Sequence, residues 1–223
     1  MTEQEKILLE KKLTAGWTDL HWAAFHGTKI QVAAELIRGT KINAKANNGF
    51  SPLQLAVFHG RRDMSRFLLL QGANLEATDN DGNTALHLAV QRQQLEMVKF
   101  LLNKKADIRA RDKDGFTPLH LASLEENVLI VELLIQKGAA IDQKANSGAT
   151  ALHLAAGLGH VNVTNLLITG GATLDIKGDN GMTPLQLAIN RRQKGTATVL
   201  RNAGAIDYAA VRRLLAKNAR SNP

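Results

Sequence analysis

Seven histidines and no cysteine bound the chemistry open to this 223-residue chain. His21, His87, His120 and His153 share one place in a 33-residue register. A row of imidazoles reads first as acid–base or metal-ligating chemistry, because histidine changes charge near neutral pH. Gln54 and Gln186 stand at the same place. An amide offers a donor and an acceptor but takes up no proton near neutrality, so what these residues share is hydrogen bonding rather than catalysis. His26 and His59, also 33 residues apart, invite a metal. Packed helices lie roughly 8 to 10 Å apart, so two such ligands alone make a strained, incomplete site. The lack of cysteine removes disulfides, thiol nucleophiles and cysteine-ligated metals. No catalytic residue, metal or cofactor is expected.

Shorter patterns fail on context. Gly157-Leu158-Gly159-His160 has the glycine spacing of a phosphate loop, but it occupies the positions of Phe58-His59-Gly60-Arg61 and lacks the preceding strand and the lysine. Asn162-Val163-Thr164 matches a glycosylation acceptor inside a helical stretch of a chain with no secretory signal. No metalloprotease helix, nucleophile elbow or kinase signature occurs, and the acidic residues are scattered.

The elements behind these residues are marked by glycine. Gly16, Gly49, Gly82, Gly115, Gly148 and Gly181 follow one another at intervals of 33 without insertion or deletion. A period of 20 to 50 residues is the mark of a solenoid, whose units bury their apolar faces on their neighbours. Each glycine opens the same phrase, as in Gly82-Asn83-Thr84-Ala85-Leu86-His87-Leu88-Ala89 and Gly115-Phe116-Thr117-Pro118-Leu119-His120-Leu121-Ala122. Over about residues 16 to 207 the chain resembles the ankyrin-repeat family, with its Gly-x-Thr-Pro-Leu-His-x-Ala pattern and Leu- and Val-rich second helix. The resemblance implies an all-α solenoid of helix-turn-helix repeats with β-hairpin fingers. Repeats are expected at 16–48, 49–81, 82–114, 115–147, 148–180 and 181–207. It also implies that the row of histidines bonds the nearby Thr hydroxyl and the backbone of the turn.

Local chemistry agrees with these elements. Pairs such as Asn48-Gly49, Asp81-Gly82 and Asp114-Gly115 accept the positive φ of tight turns. Thr84 is placed to cap a helix, and Pro52, Pro118 and Pro184 fall in first helical turns, where a missing N–H costs nothing. Leu95, Val98, Leu101 and Leu102 give the second helix an apolar stripe. Residues 1–15, with Ile7, Leu8, Leu9 and Leu13, read as an N-terminal capping helix. Residues 208–223 read as a basic C-terminal cap and tail, with Asp207 starting a helix whose Val211, Leu214 and Leu215 face the last repeat.

What varies between repeats carries the functional reading. The residue after each glycine is Trp17, Phe50, Asn83, Phe116, Ala149 or Met182, and the ninth residue after it is Phe25, Phe58, Gln91, Leu124, Gly157 or Asn190. Of nine aromatic residues, five stand at these two places, which the resemblance puts on the exposed finger and inner-helix face. Clustered exposed rings mark a partner site. Trp17, Phe25, His26, Phe50, Phe58, His59, Phe116 and Leu124 are therefore the candidate protein-binding residues. The alternative is that a large residue beside the glycine merely packs on the next finger. Trp22, at the place of Leu88 and Leu121, is expected in the core.

Charge is uneven as well. Of a net +8, residues 190–223 hold +7, from Arg191, Arg192, Lys194, Arg201, Arg212, Arg213, Lys217 and Arg220 against Asp207. Lys45, Arg111, Lys144 and Lys177 add a sparse positive row along the fingers. Such an end attracts an acidic protein segment, or anionic lipid or nucleic acid, although no base-stacking module accompanies it. A soluble basic cap is the plain alternative. The expected protein is a monomeric, cytoplasmic, non-catalytic interaction module. The resemblance leaves open a nuclear protein and, as a distant alternative, a secreted, eukaryote-like effector of an intracellular bacterium.

Overall fold

The computed structural model describes residues 15–208 and 210–213. The expected N-terminal cap with Ile7, Leu8, Leu9 and Leu13 lies outside the described residues, as do Leu214, Leu215, Lys217 and Arg220. The chain divides into two compact units, Met1–Lys113 and Asp114–Pro223.

Each unit is built from helical hairpins. The first contains α1 (Asp19–Phe25) with α2 (Lys29–Ile37), α3 (Pro52–Phe58) with α4 (Arg62–Leu70), and α5 (Ala85–Gln91) with α6 (Leu95–Asn103). The second contains α7 (Pro118–Leu124) with α8 (Val128–Gln136), α9 (Ala151–Leu158) with α10 (Val161–Thr169), and α11 (Pro184–Asn190) with α12 (Lys194–Asn202). Within the first unit α3 packs between α1 and α5; within the second α9 packs between α7 and α11. No strand occurs among the described residues. The fingers close instead through turn bonds, such as Ala46 N–H to the Phe50 carbonyl at 2.9 Å and Ala145 N–H to Ala149 at 2.8 Å. Two or three residues on each side of the turn are too few for a ladder.

Every first helix begins at a residue that satisfies its own free amides. The Ser51 and Thr183 side-chain oxygens accept the backbone N–H three residues on, while Gln54 and Gln186 reach back to the cap N–H. Thr18, Thr84, Thr117 and Thr150 make the same reciprocal box with histidine. Such caps are each worth about 1 kcal/mol. Behind them a row of leucines fills the core, Leu53 and Leu86 in the first unit and Leu119, Leu152 and Leu185 in the second, all at most 1% exposed. Burying each contributes about 1.5 to 3 kcal/mol.

The turn glycines are needed for contact as well as conformation. Gly49 has φ +82°, and a Cβ there would stand 2.5 Å from the Asn80 nitrogen. That close approach lets Asn80 N–H bond the Asn48 carbonyl at 3.0 Å. The same stitch recurs from Asn47 to Ala15 and Lys113 to Asp81 in the first unit, and from Asn146 to Asp114 and Asp179 to Ser147 in the second, at 2.9 to 3.1 Å.

At the carboxyl end, Asp207 starts a helical turn as expected. Its Oδ1 accepts from Ala210 N–H at 3.0 Å, and that bond, followed by Arg201, holds its carboxyl below the usual range. Val211, expected to face the last repeat, is 45% exposed. Val211 therefore lies on the side turned away from the repeat.

Candidate protein-interaction face

The histidine row is a set of hydrogen-bonded struts. In each case Nδ1 accepts from the threonine that caps its helix: Thr18 Oγ1 to His21 at 2.8 Å, Thr84 to His87 at 2.9 Å, Thr117 to His120 at 2.8 Å and Thr150 to His153 at 2.9 Å. With Nδ1 accepting, Nε2–H donates to a carbonyl in the next repeat, Phe50 from His21 at 2.9 Å, Ala149 from His120 at 3.2 Å and Met182 from His153 at 3.1 Å. Gln54 makes the same contact to the Asn83 carbonyl at 2.7 Å. Both nitrogens are used in the neutral tautomer. Burial lowers the pKa of His21 and His153 from the ordinary 6.5, partly countered by these carbonyls. The row supplies no proton shuttle.

The rings of the first two repeats form one contiguous cluster. Trp17 meets Phe25 edge-on with centroids 5.2 Å apart, and Phe25 meets His59 of the following repeat at 4.5 Å. His59 in turn meets Phe58 at 5.2 Å, and Phe58 meets Phe50 at 5.7 Å, each edge to face. His26 flanks Phe25 at 6.0 Å. Edge-to-face pairs of this kind add about 0.5 to 1.5 kcal/mol beyond their buried area. The rings expected to be exposed are consequently half-buried, each shielded by the next, while His26 and His59 remain exposed. Trp22, expected in the core, is half-buried and joins the cluster, 6.2 Å from Trp17 and 5.9 Å from Phe25. An indole is too long to sink where Leu88 and Leu121 fit.

The two imidazoles that invited a metal thus bracket a ring instead. Among the described residues no three of His, Cys, Asp and Glu are grouped to hold an ion. Burial, then Arg92 and Arg61, keeps the His59 pKa below 6.5.

Several members of this face carry no signal in their residue type. The Arg92 guanidinium lies over the Phe58 ring, 4.6 Å from its centroid, a cation–π contact worth about 0.5 to 1 kcal/mol at an exposed position. Arg61 reaches back to the end of α1, donating from Nη1 to the Ala24 carbonyl at 2.8 Å and from Nη2 to Gly27 at 2.6 Å. Gln94 does the same to Phe58 at 3.1 Å, and His160 to Ser123 at 3.0 Å. All three stand twelve residues after a turn glycine. The same column also holds Thr28, Asn127 and Gln193, so residue type alone gives no sign of the brace.

In the second unit Phe116 and Leu124 are half-buried. Phe116 stacks on His120 at 5.6 Å and 20°, so it lies flat on its own helix. Leu124 lines a groove of 530 Å³ with Leu154, Leu158 and Leu187.

The basic end is less free than its count implies. Arg191, Arg192, Lys194, Arg212 and Arg213 are exposed, but Arg201 is paired with Asp207 at 3.0 Å. Lys177 sits over the Tyr208 ring at 5.3 Å, and with Arg212 it lines a cleft of 380 Å³. Along the fingers, Lys45 Nζ donates to the Thr78 carbonyl at 2.8 Å and Lys144 to Lys177 at 2.9 Å. These lysines tie one finger to the next. No helix among the described residues is long and apolar enough to cross a membrane.

Comparison with known proteins adds one finding of kinship. A family model described as ankyrin repeats, in three copies, matches residues 3–79, 66–145 and 141–220. A comparison with curated proteins finds no match.

Proposed function

The chain belongs to the ankyrin-repeat family, and from that premise we propose that it is a non-catalytic interaction module that binds a partner protein on the ring face of its first two repeats. Ankyrin repeats generally serve as protein–protein interaction modules, and the family is typically non-catalytic. The observation that supports this use of the face is the unbroken run of rings from Trp17 through Phe25, His59 and Phe58 to Phe50. Rings already locked against one another lose little freedom on binding, so their area converts to affinity with a small entropic cost. Arg92 and the exposed edges of His26 and His59 supply polar contacts at the rim. A partner of ordinary size would cover about 800 Å² of each surface.

The test is capture from lysate with the full chain and with a Phe50→Ala/Phe58→Ala variant whose melting is recorded beside it. The reading expects specific partners that the folded variant loses. A specific partner retained unchanged by that variant overturns it.

A further inference from the structure

The two repeat positions that hold rings in the first unit are vacated in the fifth repeat. Ala149 stands where Trp17, Phe50 and Phe116 stand, and Gly157 where Phe25 and Phe58 stand. Leu187 fills the place of a Gly157 side chain, its Cδ2 2.9 Å from where that Cβ would be, and beside Ala149 lies the 530 Å³ groove floored by Leu124, Leu154 and Leu187, with His153 at its side and Leu158, 38% exposed, on its rim. We propose that this notch receives a large aromatic side chain carried by an acidic segment of a partner protein. The inference stands apart from the ring face, since it concerns the opposite complementarity: a ring supplied from outside rather than by the chain.

Two observations fix the occupant. The first is the chain's own precedent. One repeat earlier, Phe116 lies flat on His120 at 5.6 Å, and His120 and His153 are held alike by their threonines and by a carbonyl of the next repeat. A ring entering over Ala149 therefore meets an imidazole presented in the same way, on a leucine floor. The second is charge. The Arg191 guanidinium lies across the notch, its Nη1 3.5 Å from where a Gly157 Cβ would be. No carboxylate pairs with it among the described residues. Arg192 and Lys194 are exposed just beyond. The acidic residue of the lining, Asp179, turns its carboxylate to the Gly148 turn. A ring flanked by carboxylates satisfies both the floor and the rim, and the bulk positive charge of this end draws it in.

Fluorescence anisotropy tests this with the full chain and two labelled, amidated heptapeptides, Ser-Asp-Glu-Phe-Glu-Asp-Ser and the same peptide with Ala for Phe. The Phe peptide is expected to bind at least about tenfold more tightly. Ala149→Phe, which plants the ring that other repeats already carry, should remove that difference. Leu158→Gln, a change on the exposed rim, should do so without touching the core and so covers the case in which Ala149→Phe does not fold. Arg191→Ser should weaken both peptides and flatten their salt dependence, while Phe50→Ala/Phe58→Ala should leave both unchanged. Equal affinity for the two peptides, no binding up to about 1 mM, or full Phe-peptide affinity in a folded Ala149→Phe or Leu158→Gln variant overturns the proposal. So does a fall in the sedimentation coefficient of Ala149→Phe alone, which would make a second copy of the chain the occupant.

Discussion

The two units share a scaffold and differ in what they put on it. In both, a threonine or serine opens each inner helix, a leucine fills the core behind it, and a finger amide bonds the finger before. After the turn glycine, however, the first unit carries Trp17, Phe50 and Asn83 and the second Phe116, Ala149 and Met182. Nine residues past the glycine the contrast is Phe25, Phe58 and Gln91 against Leu124, Gly157 and Asn190. These two places supply neither the capping pairs nor the leucine row, so their residues vary while the same helices recur beneath them. A repeat of this kind separates the residues that make it fold from those that give it a surface.

That separation is sharpest where it predicts equal effects. Leu53→Ala in the first unit and Leu152→Ala in the second should each cost about 2 to 5 kcal/mol, as buried large-to-small changes; chemical denaturation of the two variants measures this. A cost confined to one unit would break the claim of a common scaffold. The largest unequal effect should come from the rings. Phe58→Ala should weaken binding of a partner on the ring face by about 2 kcal/mol or more, read by calorimetry. It should also cost folding stability, by about 1 to 3 kcal/mol, because the ring is half-buried against Phe50, His59 and Arg92.

The struts should respond alike in both units but depend on residue type. His120→Ala should lower stability by about 1 to 3 kcal/mol through lost buried hydrogen bonds, and His120→Gln by less, since Gln54 already spans the same gap. Their pH response follows from the sign of the shifts. His21 and His153 have folded pKa values below 6.5, so the unfolded chain binds their protons more readily. The stabilisation is complete above about pH 6.5 and is lost as pH falls from there through the lowered folded values. Melting temperatures across pH 7.5 to 4.5 should drop, and a His21→Gln/His153→Gln variant should flatten the drop between pH 6.5 and the lowered values. The smallest effect belongs to the basic end. Arg212→Ser/Arg213→Ser should alter the association rate and salt dependence of an acidic partner more than its dissociation, as stopped-flow mixing would show.

Much of this architecture was legible before any coordinates. The glycine interval, the Thr/His and Ser/Gln pairs and the first-turn prolines each constrain one conformation, so residue type and place were enough. The face was legible as a place but not as a state. Which rings shield one another depends on side-chain angles across repeats, and so Trp22 and the degree of burial of Phe25 and Phe58 escaped. The brace formed by Arg61, Gln94 and His160 escaped for another reason: the structure asks only for a long donor, and three residue types supply it. Val211 was misplaced because helical spacing gives a face without saying which side the neighbour occupies.

The finger stitch has a consequence for the lengths that such a chain can take. Each finger amide finds the carbonyl 32 residues earlier, from Asn47 to Ala15 through Asp179 to Ser147. Inserting a single residue between donor and acceptor shifts that one amide against its mate, while the pairs before and after it keep their spacing. Inserting or removing 33 residues within the array restores the pairing on either side. Growth or loss by whole repeats thus keeps every stitch, whereas any smaller change sacrifices the one it falls within, so the chain's length is favoured in whole-repeat steps.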